Sequence, residues 1–519
     1  MKRRRFLGAS AGVLATGSVV VGTTSKEAGN LSVPANDVYA MGQRRELFVD
    51  DFMVDVLEGE LSYRLHSPQA EEMVIRQDKP WEGNASSYHT VFKDGDTYRM
   101  YYRGHNFDMS GGTLKFTHGE CTCYAESTDG IHWEKPELSL FEFEGSKKNN
   151  IVWMGPGSHN FSPFVDQRPD CPEEERLKAT GGLAHNGGMR LFKSADGKRW
   201  TPVGDEGVIT VGAFDSANIA FWDKSLGKYR AYYRIFTEGT TTAKVWKPGG
   251  IRAIRTAVSD DLIHWEGFQD LTYGDSPPQQ MYTNNVISYD RAPHILVGFP
   301  MRYVERGWSP TMKALPDLEN RKLRSEASLR YGTALTETQI MTSRDGVTFK
   351  RWDEAFLRPG VERSDSWYYG HNNVAWNIAL TSSRFENAED ELSFYAESGG
   401  WHGAGKILTR HSLRQDGFVS VHSTLKGGRL TTRPLTFSGS ELELNLSTSA
   451  LGYVKVECLT AEGTLIDSFA FEQADETYGD SLSRKVTWGG LSGLKKLSGK
   501  PIRLRFTLSD ADLYSFKFV

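Results

Sequence analysis

Three carboxylates stand in sequence contexts suited to proton transfer: Glu82 in KPWEGN beside Trp81, Asp215 in GAFDSAN, and Glu397 in FYAESGGWHG beside Trp401 and His402. Two carboxyl groups flanking an acetal can cleave it. One protonates the leaving oxygen, and the other activates water or attacks directly, at separations of about 5 to 5.5 Å or about 6.5 to 9.5 Å. Asp215 suits the base or nucleophile. Glu397, near apolar Phe394 and Trp401, suits an acid kept protonated by its surroundings. Asp166 and Glu126 are reserves, the first also fitting a turn cap and the second a pair with a neighbouring blade. Residues so distant in sequence act together only if the fold converges them, so the repeating elements decide the matter.

The chain repeats itself. STDGIHW, SADGKRW, SDDLIHW, SRDGVTF and the degenerate RQDGFVS place Asp129, Asp196, Asp261, Asp345 and Asp416 at intervals of 65 to 84 residues. Each unit carries alternating, aromatic-rich strand patterns broken by turn residues, as in YHTVFKDGDTYRMYYRG and NIAFWDKSLGKYRAYYRIF, and long amphipathic helices are absent. Short antiparallel strands in five units of this size predict an all-β fold, a five-bladed β-propeller over 42–425. The Asp-Gly segments read as tight turns between the third and fourth strands, with the Trp packing between blades. Beyond GGRLTTRPL the texture changes to ELELNLS, GYVKVECL, PIRLRFTL and LYSFKFV, which predicts a C-terminal β-sandwich over 426–519.

In a propeller the equivalent positions of the innermost strands form rings around a central funnel. Counting back from FKD, FVD, FWD, SYD and AWN gives one ring of Ser86, Ser158, Asp215, Tyr282 and Tyr369, in which Asp215 alone is charged. Two residues on, the same strand faces give Tyr88, Asn160, Ala217, Asn284 and His371, and a slip of one residue would exchange the faces. Such a mixture of carboxylate, amide, phenol and imidazole supplies the donors and acceptors that sugar hydroxyls need. The second strands end in Arg103, Arg234 and, two places later, Arg302, whose guanidinium forks suit a carboxylate or sulfate. Inter-blade ion pairs are the other use for such arginines. Trp81 and Trp401 offer stacking surfaces.

The net charge of -5 gives no general electrostatic reason to bind nucleic acid. MKRRRFLGASAGVLATGSVVVG is a basic start followed by small and apolar residues, and Arg3-Arg4-Arg5-Phe6-Leu7 resembles a twin-arginine export signal; residues 1–40 are expected to be signal and linker, with no membrane span in the mature protein and an exported location. The cysteines, 121, 123, 171 and 458, read as small buried hydrophobes with at most one bridge, such as Cys123 with Cys171. No His or Cys spacing calls for a metal, and no cofactor is expected.

The phrases YAESTDGIHWEKPEL, FWDKSLGKYRAYYR and the terminal LYSFKFV, in this order of units, resemble the five-bladed propeller glycoside hydrolases, most of all glycoside hydrolase family 32 with its C-terminal β-sandwich. Trp-Met-Asn-Asp-Pro-Asn-Gly, Arg-Asp-Pro and Glu-Cys, the motifs of that family, do not occur; DQRPD and PWEGN are only loosely similar, and no family residue carries over. The resemblance implies a glycosidase that takes the end of an oligosaccharide or polysaccharide into the funnel. A lectin-like propeller using Trp81, Tyr88, Tyr369, Trp401 and His402 is the other expectation.

Overall fold

The computed structural model describes residues 38–401 and 405–519, so the proposed export segment and His402 lie outside the described residues. Five four-stranded antiparallel sheets follow one another along the chain. The first runs Ser87–Asp94, Thr97–Gly104, Cys121–Ser127, Ile151–Met154, and the second Ser162–Val165, Leu177–Gly181, Arg190–Ser194, Thr201–Pro202. The third uses Ile219–Asp223, Lys228–Thr241, Trp246–Ser259 and Trp265–Asp270, and the fourth Ile287–Tyr289, Ala292–Gly298, Met341–Ser343 and Lys350–Arg351. Gln280–Met281, Met301–Glu305 and Ala334–Thr338 form a separate three-stranded sheet within the fourth repeat. The fifth four-stranded sheet takes Ala379–Thr381, Glu391–Ser398 and Ile407–Leu413 from its own repeat and its last strand, Gln69–Arg76, from the other end of the chain.

The sheets pack as a propeller because the segments leading into their first strands bind one another around an axis. Asn160 Nδ2 donates to Phe214 O (2.6 Å), Asn284 Nδ2 to Ala217 O (2.9 Å), and Asn285 Nδ2 to Val374 O (2.6 Å). Thr90 bridges Trp376 in parallel, joining fifth sheet to first. These buried amides satisfy carbonyls that no neighbouring strand reaches.

The repeated phrases have a local cause. In each of the first four repeats the turn Ser accepts the N–H of the residue three places on, and the turn Asp accepts the N–H groups two and three places beyond itself, as Ser127 does from Gly130 (2.9 Å) and Asp129 from Ile131 and His132 (2.8 Å each). The turn bends through a left-handed residue, Gly130 at φ 76°, a conformation glycine adopts freely. In the third repeat Leu262 holds it at φ 67°, kept there by burial. Trp133, Trp200 and Trp265 donate their indole N–H to the carbonyl three residues back, closing the turn. The central tyrosine of YRMYYR and YRAYYR then reaches the turn of a different sheet: Tyr101 donates to Gly197 O (2.8 Å), Tyr232 to Gly346 O (2.9 Å), and Tyr395 in LSFYAE to Gly130 O (2.6 Å). All three rings are buried. Tyr395→Phe should therefore cost about 1 kcal/mol by removing one of the two hydrogen bonds to the Gly130 carbonyl, which keeps the Trp133 indole N–H, read as a lower urea midpoint at unchanged slope.

Apart from a two-stranded ribbon of Phe107–Asp108 and Lys115–Phe116, the remaining strands form one eight-stranded sheet that draws on both ends of the described chain. Its central path is Tyr39–Gly42, Leu435–Phe437, Ile502–Phe518, Val419–Thr432 and Val54–Leu65, with Glu46–Leu47, Leu442–Thr460 and Asp480–Lys485 attached. Phe506 and Phe516, ten positions apart on one strand, lie only 5.6 Å apart. The strand therefore turns over between them, where Asp510 sits at φ 42°, and the sheet faces itself across a core of Leu444, Val456, Leu504, Phe506 and Phe516. The division expected near 42 and 425 does not follow the strand pairing: residues 39–65 belong to this sheet, since Val54–Leu65 pairs with Val419–Thr432, and the propeller's first strand begins at Gln69.

The cysteines are thiols. Cys121, Cys123 and Cys458 are buried as expected, with Cys121 and Cys123 at 3.8 Å, and Cys171 is not bridged to Cys123. No helix among the described residues is long and apolar enough to cross a membrane.

Candidate functional site

A cavity of about 530 Å³ opens on one face of the propeller, and every four-stranded repeat contributes to it in the same way. The segment entering each first strand supplies the floor: Ser87 and Tyr88, His159, Asp215, Tyr282, and Tyr369 with Gly370. The connection from second to third strand supplies the rim: Phe107, Phe116 and Glu120; Leu183 to His185; Thr242 to Trp246; Arg330 and Tyr331; and Trp401, while Lys406 of the fifth connection is buried in the floor. In the fourth repeat this connection is helical, with α1 (Pro310–Ala314), α2 (Leu318–Ala327) and α3 (Leu329–Thr333). Arg321 and Arg324 fasten α2 by stacking on Tyr368 at 4.0 and 4.5 Å, and Arg324 also covers Trp401 at 4.5 Å.

Asp215 lies at the centre of the polar floor. Its Oδ1 is 3.0 Å from His159 Nε2, its Oδ2 is 3.8 Å from Arg234, and the side chain remains 43% exposed to the cavity. His159 Nδ1 is 2.7 Å from Glu120 Oε1, which lies 3.2 Å from His105 and 3.6 Å from Arg103. The result is a line of two carboxylates joined through one imidazole. Burial pushes the Asp215 carboxyl up, and the hydrogen bond from His159 and the Arg234 and Arg103 charges outweigh it, holding the group well below the usual carboxylate range. Burial and Arg103 oppose protonation of His159, yet its bonds to Asp215 and Glu120 raise its pKa above the ordinary histidine value. Burial likewise opposes ionisation of Glu120, and His105 and His159 keep it ionised.

Of the expected ring, Asp215, Tyr282 and Tyr369 line the cavity, but Ser86 and Ser158 do not; Ser87, Tyr88 and His159 do. In the first repeat the reason is a bulge. The pairing register shifts between Ser87 and Thr90, and Tyr88 holds φ 56°, which turns its ring to the cavity and its N–H to Glu397. In the second, Ser158–Asn160 is a 3-10 turn rather than a strand. Tyr88 approaches Asp215 with its hydroxyl at 3.5 Å, and Arg103 lies over the Tyr88 ring at 5.1 Å. Trp401, also left-handed at φ 68°, meets Phe107 and Tyr331 edge-on at 5.0 and 4.8 Å.

Other expected site residues stand elsewhere. Glu82 is wholly buried behind the first sheet, where its oxygens accept from Tyr102 (2.6 Å), the Lys79 N–H (2.9 Å) and Lys135 (2.8 Å); nothing leaves it open to a substrate. Glu397 is buried just beneath the floor and is bonded by Ser87, Tyr88 N–H, His89, Asn373 and Lys406, the last at 2.5 Å. Burial raises its pKa, but Lys406 and His89 bring it down to about 2, so the raised value expected of an acid is not there. Asn160, Asn284 and His371 are turned to backbone: Asn160 bonds Phe214 and Gly182, the Asn284 Nδ2 donates to Ala217, and His371 bonds Gly399 (2.9 Å). Trp81 donates to Asn150 (2.6 Å) outside the cavity.

The arginines divide. Arg103 lines the cavity, and Arg234 sits directly behind it, over Tyr282 at 4.9 Å. Arg302 instead pairs with Glu337 and donates to Asp353 O (2.9 Å), pointing away because it lies on the separate three-stranded sheet rather than at a second-strand end. Of the reserves, Asp166 accepts from Tyr229 (2.7 Å) and the Arg168 N–H, and Glu126 pairs with Lys198 at 2.8 Å; neither lines the cavity. His159, Glu120, His105, Arg330, Tyr331 and Lys406 were not singled out from sequence. A comparison of the second-to-third connections, repeat by repeat, would have drawn out all of them except His159, which the one-residue slip conceals. Among the described residues no group of three or more His, Cys, Asp or Glu is placed to hold a metal ion.

No family model matches the chain. Two uncharacterized proteins of Mycobacterium tuberculosis, from strains CDC 1551 and H37Rv, are 30% identical to it over 139 residues, which is 26% of this chain and 40% of theirs. Among solved structures, a glycoside hydrolase is 13% identical with a TM-score of 0.41, covering 67% of this chain and 92% of its own. A thermostable family-43 glycoside hydrolase is 14% identical at 0.40, covering 66% and 95%. A fructofuranosidase of Schwanniomyces occidentalis complexed with fructosylnystose is 10% identical at 0.35, covering 87% and 98%. These are similarities of chain path; the chemistry of the cavity belongs to its own side chains.

Proposed function

We propose that this protein is an exported glycosidase that removes terminal units from an anionic glycan. One observation carries the reading: an ionised carboxylate, Asp215, open to a cavity walled by Tyr88, Tyr282, Tyr369 and Trp401. In this reading Asp215 is the base or nucleophile at the anomeric carbon. The acid is His159, charged and held by Glu120, which protonates the leaving oxygen once substrate displaces its bond to Asp215. Glu82 and Glu397 have no part in it. The aromatic walls offer stacking faces for sugar rings, and the buried Glu397–Lys406 layer closes the floor, which favours a chain end over a threading polymer.

A non-catalytic sugar-binding role is favoured by a different observation. Glu120, the second carboxylate of the cavity, is enclosed by His105, His159 and Arg103, so among the described residues no second free carboxylate faces Asp215. Incubation of the protein with acidic, sulfated and neutral polysaccharides, followed by mass spectrometry of products, separates the two. The glycosidase reading expects monosaccharides or single repeat units from the first time point. A ladder of long fragments would overturn exo action, and binding with no cleavage across the panel would put the lectin in its place.

A further inference from the structure

Most cations of the cavity are already matched to an acid. Arg103 faces Glu120 at 3.6 Å, Arg234 faces Asp215 at 3.8 Å, and Lys406 holds Glu397. Arg330 differs. It comes from α3, lines the cavity, and among the described residues has no carboxylate within 4.0 Å; its partners are the Tyr369 and Tyr331 hydroxyls, each at 3.5 Å. Its guanidinium lies over the Tyr331 ring at 4.9 Å and the Tyr369 ring at 5.3 Å, and those rings stack on each other at 5.9 Å. Two aromatic faces hold the fork in place while its N–H groups make only long bonds.

We propose that Arg330 is the receptor for the anionic group of the substrate, a carboxylate or sulfate ester carried on a sugar seated between Tyr369, Tyr331 and Trp401. This rests on the glycan reading above and assigns its charge selectivity to a side chain of the helical insertion rather than to the strand-end arginines. The physical argument is one of competition. An anion approaching Arg103 or Arg234 must displace or share an existing carboxylate, whereas at Arg330 it replaces weak phenol contacts with a charge-assisted pair. The fork is partly desolvated and restrained by its stacking, so little ordering remains to oppose binding. The same selection acts against neutral sugars, which leave the guanidinium without its anion.

Two assays test this separately from glycoside chemistry. In the first, thermal unfolding is followed for the parent, Arg330→Gln and Arg330→Lys as sodium sulfate or sodium glucuronate replaces sodium chloride at constant ionic strength. The parent is expected to gain stability at low millimolar anion, Arg330→Gln to show none of this gain, and Arg330→Lys to keep part of it, since an ammonium retains charge without the fork. Whichever anion gives the larger gain identifies the source as carboxylate or sulfate. In the second, binding of an acidic oligosaccharide and its neutral counterpart is measured by calorimetry. Arg330→Gln should weaken the acidic ligand by about tenfold or more and leave the neutral one within about twofold. Equal responses of parent and Arg330→Gln in the anion assay would overturn the proposal, and so would an equal loss for both sugars. An anion response that depends on Arg330, with no glycan bound or cleaved, would keep the receptor and remove the glycosidase.

Discussion

Replacing Asp215 with Asn lowers kcat by about 10²-fold or more while KM stays within a few-fold, if Asp215 is the reacting carboxylate. The substitution keeps the shape of the side chain and an oxygen for the His159 bond, so the floor is preserved and the charge alone is lost. Arg234, buried with its charge facing Asp215, then has no counter-ion within the floor. A modest fall in stability is expected, and it is distinguishable from the kinetic effect because kcat is measured on folded protein. The pH profile provides a second readout. Asp215 is ionised far below the usual carboxylate range, so it sets no acid limb in kcat/KM near its ordinary pKa of about 4. His159 has a raised pKa, so its proton is present at low pH and lost as pH climbs through a value above the ordinary 6.5. Activity should therefore fall on the alkaline side, and His159→Gln should remove that limb together with most of the rate. Near-parental turnover in Asp215→Asn on a substrate the parent cleaves would end the assignment.

The second large effect concerns stability. Glu397 and Lys406 are both buried beneath the cavity; without Lys406 the carboxylate keeps only His89 and neutral donors, and without Glu397 the ammonium keeps only the Gly370 carbonyl. Lys406→Met and Glu397→Gln should each cost about 3 to 5 kcal/mol, and the double variant should recover a substantial part of the sum. The partners of Glu397 lower its pKa from the ordinary 4.5 to about 2 despite burial. Its contribution is thus fully present above about pH 4.5 and is lost as pH falls toward 2. Urea midpoints measured from pH 6 down to pH 3 should drop more steeply for the parent than for Glu397→Gln. Parallel curves would show that the ion pair does not govern acid stability.

These residues also mark how far the sequence could be read. The Asp-centred turns of the first four repeats and the aromatic phrase of the second strands were visible because the architecture needs the same side chains each time, as with Tyr101, Tyr232 and Tyr395 on their turn carbonyls. Equivalent positions could therefore be aligned, and the aligned strand-end position that holds Arg103 and Arg234 also holds Glu397. The chemistry at that position was not visible. Glu397 looked like an acid in apolar company because its cation, Lys406, comes from a connection whose position no repeat specifies. Glu82 looked accessible because Lys135, from the connection that follows Cys121–Ser127, is what encloses it. The ring slipped by a residue where Tyr88 takes a left-handed backbone and where Ser158–Asn160 coils, since neither event changes residue type. The helical insertion escaped notice for a different reason. The buried side of α2 is arginine stacked on tyrosine, so no apolar periodicity announces a helix there.

The closing strand Gln69–Arg76 pairs with Ile407–Leu413, and its neighbour Val54–Leu65 pairs with Val419–Thr432. Some of the earliest strands to leave the ribosome thus wait for partners more than three hundred residues behind them. Closing so long a loop costs little more than closing one half its length, because the entropy grows only with the logarithm. Time is the scarcer quantity. Until residue 432 has been made, both early strands carry unpaired edges, and the fifth sheet has no outer strand. Synthesis of that interval at about 5 to 20 residues per second leaves them exposed for tens of seconds. Nascent chains arrested before residue 407 should therefore be sensitive to protease and prone to pair with one another, and the whole ring should become resistant in one step when the final strands emerge.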